Sequence, residues 1–158
     1  MDAINADPDV TRFLNRSAPL GFVGRAMAHW DEHGFGLWAV AARAEPGVLI
    51  GFAGPSHPEW LPELAHEVEL GWRLARSVWG RSYATEAALA ARDRAWADLP
   101  PAVAHLISVV HPDNERSRRV AGKLGGRVAR HVHNPFADRE VEVWTVRRPQ
   151  VPSGATTR

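Results

Sequence analysis

Apolar residues recur at two periods along this chain, and the switches between them divide it into elements. Asp7 to Leu14 (DPDVTRFL) sets Val10, Phe13 and Leu14 on one side of a short helix. Pro19 opens a second helix that reaches about His33, with Phe22, Val23, Met27 and Trp30 near helical spacing, and Gly34 and Gly36 end it. Leu37 to Ala42 (LWAVAA) reads as a strand. Glu45-Pro46-Gly47 reads as a turn, and Val48 to Gly54 (VLIGFAG) as the returning strand of a hairpin. The proline-broken loop PSHPEWLPEL leads to a third strand, Val68 to Leu74, and Arg76 to Tyr83 is a short loop.

Ala84 to Leu99 (ATEAALAARDRAWADL) is the strongest helix. Its alanines at 84, 87, 88, 91 and 95 give it a smooth face suited to close packing on a sheet, and Pro100-Pro101 stops it. Leu106 to Val110 is a buried-type strand. Asn114 to Leu124 is a helix closed by Gly125-Gly126. Val128 to His133 and Val141 to Val146 are the last strands, around a turn at Pro135 to Arg139. The order is helices, three strands, helix, strand, helix, two strands. It predicts a mixed-sheet domain of the α+β class over residues 1–149, followed by a polar, disordered tail, Gln150 to Arg158.

Composition narrows the function classes. The 158 residues suffice for one domain, and 45% hydrophobic with 23% charged residues fits a globular chain. There is no cysteine, hence no disulfide scaffold, thiolate metal site or cysteine nucleophile. Nineteen basic against eighteen acidic residues leave a net charge of +1, which offers nucleic acid no bulk attraction. No apolar stretch is long enough for a membrane span, and the acidic start MDAINADPDV is not a secretory signal, so a cytoplasmic location is expected.

Chemistry concentrates in EVELGWRLARSVWGRSYATEAAL, residues 67–89. A strand ends, a short Gly/Ser loop follows and a helix begins. The N–H groups of Gly80 to Ala84 have no intrahelical partners there, and the helix dipole adds positive potential. That is a phosphate or pyrophosphate site, or else a tight loop before an ordinary helix. In the second strand-to-helix unit, LISVVHPDNERSRRVAGKLGG, Asn114 is a helix N-cap or a ligand contact. Arg116, Arg118 and Arg119 are a solvated face unless an anion lies beside them.

WGRSYATEA followed across a strand by PDNERSRRVAGKLG resembles the GNAT superfamily of acyl-CoA-dependent N-acetyltransferases, most of all its ribosomal-protein-alanine N-acetyltransferase branch. DPDVTRFL, FGLWAV, LIGFAG, ELGWRL and VWTVRRP stand in the order that the resemblance requires. It implies a splayed mixed sheet flanked by helices, with acetyl-CoA as cosubstrate entering between the strands 68–74 and 106–110. The pyrophosphate would lie on the amides of Gly80, Arg81, Ser82, Tyr83 and Ala84, and Asn114 would face the pantetheine. Leu74, Ala75, Trp79, Thr85, Ser117 and Arg119 complete the cofactor set. Two departures stand out: Ser82 replaces a glycine usual in the family, and the usual first strand is missing before Asp7. A misplaced start, a truncation or a covering chain would account for the second.

The reaction implied is direct attack of a primary amine on the thioester, without an acyl-enzyme. Glu69 is the candidate base. Its competing reading is a strand carboxylate paired with an arginine such as Arg73. Ser117 is the candidate acid for the thiolate, the tyrosine of many GNAT enzymes being Ala121 here; its other reading is a helix serine satisfying a backbone amide. A backbone amide near Leu74 or Ala75 would hold the oxyanion. Trp60, His66, Glu67 and His111 are candidate contacts for the acceptor. Eight histidines include His29 and His33 at i,i+4, but no HExxH pattern, and no metal is expected. The expected partner is a small amine or a protein N-terminus, with a homodimer through the C-terminal strands or the open edge. The rival readings are a non-catalytic acyl-CoA-binding module and a transferase of longer acyl groups.

Overall fold

The period-two segments pair into a single six-stranded sheet. The computed structural model describes residues 1–14 and 21–149. The strands are β1 (Trp38–Ala42), β2 (Glu45–Ser56), β3 (Glu69–Leu74), β4 (His105–Val110), β5 (Arg127–Asn134) and β6 (Arg139–Arg147), in the spatial order β1-β2-β3-β4-β6-β5. The pairs β1–β2, β2–β3, β4–β6 and β5–β6 are antiparallel, and β3–β4 is parallel. The fold is the mixed α+β architecture that the element order predicts.

The central parallel pair is short. Its only paired position is Glu69 with Ile107, held by the Ile107 amide donating to the Val68 carbonyl at 2.9 Å. The buried Ser108 hydroxyl donates to the Leu70 carbonyl at 2.7 Å. Beyond that point the ladder stops, while β3 continues to Leu74 and β4 to Val110. An unpaired stretch in mid-sheet leaves polar backbone edges open.

The helices are α1 (Asp2–Ala6), α2 (Pro8–Thr11), α3 (Phe22–His33), α4 (Tyr83–Asp98) and α5 (Glu115–Lys123). In α4 the buried residues are Ala88, Ala91 and Ala95, the small face read from the sequence. They pack with Ala53, Leu70, Leu106 and Val146 of the sheet, with Val120 of α5 and with Leu124 at its C-cap. Leu61, Leu64, Ile107, Val132, Val141 and Val143 form a second cluster. Adjacent Leu106 and Ile107 divide between the two clusters, as strand alternation demands.

Several boundaries differ from the sequence reading. The hairpin turn is Arg43-Ala44, because Ala42 already pairs with Glu45; Glu45, Pro46 and Gly47 belong to β2. Val40 faces Gly51 but Ala41 faces Leu49, so β2 bulges against β1. Pro46 is tolerated because β3 pairs only with Gly51 to Ser56, leaving its missing N–H on an unpaired side. The segment before Asp7, read as nearly empty, holds α1, whose Ile4 is buried. The helix expected over 7–14 shortens to α2, capped by the Asp9 amide donating to Asp7 Oδ1 at 2.9 Å; Phe13 and Leu14 follow it. Pro19 and the tail 150–158 lie outside the described residues. No strand precedes β1 among the described residues, and none of their helices is long and apolar enough to cross a membrane.

Candidate active site

Where β3 and β4 part, two clefts open and meet. One, of about 650 Å3, lies against the start of α4 and one side of α5. The other, of about 440 Å3, lies between α3, β3 and the end of β4. Phe13, Leu14, Trp72, Arg73, Asn114 and Ser117 line both.

The larger cleft is built around an open helix end. Gly80 and Ser82 both take left-handed backbone angles, φ 77° and 64°, and Ser82 is the N-cap of α4 with no side-chain cap bond. The first intrahelical bond there runs from the Glu86 amide to the Ser82 carbonyl, so the preceding amides have no helical partners. Leu74, Trp79, Gly80, Ser82, Tyr83, Ala84, Thr85, Asn114, Ser117 and Arg119 of the expected cofactor set line this cleft. Ala75 and Arg81 do not. The Ala75 amide is spent on the Ile50 carbonyl at 2.8 Å, and the Arg81 side chain is exposed. The Trp79 indole donates to the Leu74 carbonyl at 3.0 Å and bears the Arg116 guanidinium 4.5 Å above its ring, which fixes the loop's shape.

Sequence reasoning missed Arg12 and Lys123 on this wall, and left Arg116 between a solvated face and an anion contact. A signal existed: Arg116, Arg119 and Lys123 are spaced i, i+3, i+7 along α5, one helical face. Arg118, grouped with them in the sequence, faces elsewhere and pairs with the buried Glu142 at 3.1 Å. Four cations beside free helix-terminal amides suit a phosphate-bearing ligand.

Glu69 stands on the wall of the smaller cleft. Burial lifts its carboxyl from the ordinary carboxylate range to about 7, against the lowering effects of the Val109 amide, the Trp60 side chain and the Arg73 charge. The Val109 N–H reaches Glu69 Oε1 at 3.4 Å. Arg73 does not neutralise it by direct contact. Its guanidinium donates to Asn5 Oδ1 at 2.7 Å and lies over the Phe22 and Phe52 rings at 5.7 and 5.3 Å. The carboxyl is therefore poised to exchange a proton near neutrality.

Asn114 acts as the N-cap of α5, accepting from the Ser117 amide at 3.1 Å, and it borders both clefts. The Ser117 hydroxyl makes no hydrogen bond among the described residues, so it is not consumed in satisfying the helix. Of the two oxyanion candidates, the Ala75 amide is occupied by the Ile50 carbonyl. Amide direction alternates along an antiparallel strand, which turns the Leu74 and Trp72 N–H groups away from β2, toward the gap.

Of the acceptor candidates, Trp60 and His111 line the smaller cleft. His111 stacks on Phe13 at 5.0 Å and accepts the Asp113 amide on Nδ1, and burial, with Arg139 nearby, lowers its pKa. His66 and Glu67 line neither cleft. Glu67 is engaged by His105 at 2.9 Å and Arg130 at 3.4 Å, and His66 is exposed. Glu67 precedes β3, which begins only at Glu69.

Known proteins share this fold. The family described as acetyltransferase (GNAT) domain matches residues 1–127. An acetyltransferase from Agrobacterium tumefaciens strain C58 is 31% identical, with a TM-score of 0.71 over 92% of this chain and 82% of that one. A GNAT-family acetyltransferase from Bacillus anthracis, 20% identical, has a TM-score of 0.70 over 91% of this chain and 84% of its own. An aminoglycoside acetyltransferase crystallised with coenzyme A, 16% identical, has a TM-score of 0.69 over 92% and 86%. The sheet that parts between β3 and β4, the open start of α4 and the family match agree, and the chain belongs to the GNAT acetyltransferase family.

Proposed function

We propose that this chain moves an acetyl group from acetyl-CoA to a primary amine by direct attack in a ternary complex. The observation that carries the reading is the meeting of two clefts at Trp72, Arg73, Asn114 and Ser117, one lined by cations and helix-terminal amides, the other by Glu69. A coenzyme needs the first and an amine the second. Holding both reactants across one gap makes attack effectively unimolecular.

Glu69, directly or through a water, takes a proton from the ammonium. The amine nitrogen attacks the thioester carbonyl carbon, and the Leu74 N–H stabilises the oxygen as it becomes an oxyanion. The carbon–sulfur bond breaks, the Ser117 hydroxyl passes its proton to the thiolate, and the surplus proton of the new amide nitrogen returns to Ser117 through water, leaving the amide, the free thiol and one proton on Glu69 for release to solvent. An α-amine, of pKa about 8, costs about 1.4 kcal/mol to deprotonate at neutrality, whereas a lysine side chain costs about 4.6 kcal/mol. A carboxyl titrating at about 7 suits the former. The acceptor class is a primary amine, drawn from a protein N-terminus, an amino acid, a polyamine or an aminoglycoside-like compound, and the cost of deprotonation favours those whose amine has a low pKa. The resemblance to the ribosomal-protein-alanine branch agrees with an α-amine without selecting one of these. The proposal includes a cytoplasmic location, residues 1–149 as the catalytic domain, and a homodimer across an open sheet edge.

The test is calorimetric titration of acetyl-CoA, followed by amine-dependent release of free thiol. Ser82→Asp puts a carboxylate on the phosphate-binding amides and should abolish binding. Binding without amine-dependent thiol release across an amine panel would identify a non-catalytic acyl-CoA module instead. Absent binding by the unsubstituted chain would overturn the reading.

A further inference from the structure

His29, His33 and His57 form a cluster that acetyl transfer does not use. His29 and His33 stand one turn apart on α3, and His57 directly follows β2. Their ring centroids are 4.4 Å (29 to 33), 4.8 Å (33 to 57) and 5.7 Å (29 to 57) apart. One ligating nitrogen from each lies within 4.8 Å of the others. Phe35 packs its ring against His29 and His57, at 5.2 and 5.4 Å.

The backbone sets the tautomers. A carbonyl can only accept, so His29 Nδ1–H donates to the Phe35 carbonyl at 2.9 Å and His57 Nδ1–H to the Glu67 carbonyl at 2.8 Å. Both neutral rings therefore keep an unprotonated Nε2. His33 Nε2 is buried without a hydrogen-bond partner; its nearest acid, Glu32, is 3.9 Å away. Nδ1 held by a carbonyl with Nε2 left bare is how proteins orient histidines toward a metal. Burial and the neighbouring His33 and His57 also lower the pKa of His29, favouring the neutral form.

We propose that His29, His33 and His57 bind one divalent ion of the zinc class through their Nε2 atoms, with water in the fourth position. Three imidazoles without a thiolate suit zinc, cobalt, nickel or copper rather than magnesium or calcium. A tetrahedral site needs nitrogens about 3.3 Å apart, so the rings rotate inward on binding. The His57 amide, which donates to His29 Nε2 at 3.1 Å, gives up that bond to the metal. The ion ties α3 to the segment that carries Trp60. Because His29 and His57 also line the smaller cleft, the ion fastens two of its walls.

The test uses the full chain, stripped by chelator and re-equilibrated. Zinc titration should show one site per chain, cobalt should give the intense visible bands of tetrahedral coordination, and the melting temperature should rise with zinc. Affinity should fall as pH is lowered, because protons compete with the ion for the imidazole nitrogens. His33→Gln and, separately, His57→Gln should each weaken binding at least ~10- to 100-fold, with metal-free circular dichroism confirming that each variant folds. The control is His133→Gln, which alters an exposed group with Asp138 and Glu140 at 3.4 and 3.6 Å. Zinc binding lost in His133→Gln but kept in His33→Gln, or no stoichiometric binding at all, would overturn the proposal.

Discussion

Glu69→Gln should make the protein more stable above neutral pH while making it a poorer catalyst. The folded carboxyl titrates at about 7 against 4.5 for the free group. Folding therefore takes up a proton between those values, and stability falls as pH rises through that window. The contribution is intact below pH 4.5 and gone above about 7. A shift of about 2.5 units at about 1.4 kcal/mol each corresponds to about 3 kcal/mol. Glutamine has nearly the same shape, carries no charge, and keeps an oxygen for the Val109 amide. The variant should thus equal the parent at about pH 4 and exceed it by about 3 kcal/mol at about pH 8. For a domain of this size that is roughly 6–12 °C in melting temperature.

Activity should move the other way. Losing a general base costs about 10²- to 10⁴-fold in kcat/KM. The parent's rate should rise through about pH 7 as Glu69 ionises, and the variant should lose that limb while keeping the one set by the amine. The two assays are thermal melts and initial rates, each across pH. A melting difference that does not change with pH would refute the burial argument. A variant within about three-fold of the parent in rate would refute the base.

Two further substitutions test the scaffold. A Cβ at Gly51 would sit 2.2 Å from the Arg73 carbonyl oxygen and 2.8 Å from Leu74 Cα, both backbone. Gly51→Ala should therefore prise β2 from β3 and cost about 2–3 kcal/mol in a denaturant titration, and a cost under about 0.5 kcal/mol would sink the argument. Arg148 forks onto the carbonyls of Val103, Trp96, Leu99 and Pro100 at 2.9 to 3.1 Å, closing the far end of α4. Arg148→Lys cannot span them and should lose about 2 kcal/mol of stability with acetyl-CoA affinity unchanged, since α4 sets that end about 24 Å from Ser82.

What the sequence revealed and what it hid divide along physical lines. The alanine face of α4 was legible because a repeat of small residues at helical spacing has one use, close packing on β2 and β3. Ser82 was legible as an anomaly because its position demands φ 64°. Glu45-Pro46-Gly47 misled because turn propensity is local, while the bulge that absorbs those residues is set by the pairing of β1 with β2. Glu67 misled because its partners, His105 and Arg130, lie far along the chain and meet it only in the folded sheet. His57 could not be joined to His29 in advance, since they lie 28 residues apart and meet only through tertiary structure. The raised pKa of Glu69 was likewise invisible, for burial belongs to the fold and not to the residue.

The places where this chain departs from good local structure coincide with the candidate active site. A left-handed serine costs roughly 1–2 kcal/mol. The parallel ladder ends after one pairing, leaving amides of β3 unpaired. A half-buried carboxyl without a direct counter-ion lowers stability above neutral pH. Removed from each other these would be scattered defects. Here they border one pair of joined clefts, and each would supply something the proposed acetyl transfer requires: free amides for phosphates, an edge N–H for an oxyanion, and a base that titrates near neutrality. Strain located by geometry, rather than resemblance alone, is what ties this fold to its proposed chemistry. It is also why Glu69→Gln is the discriminating substitution: if stability and rate do not move in opposite directions, the departures are defects after all.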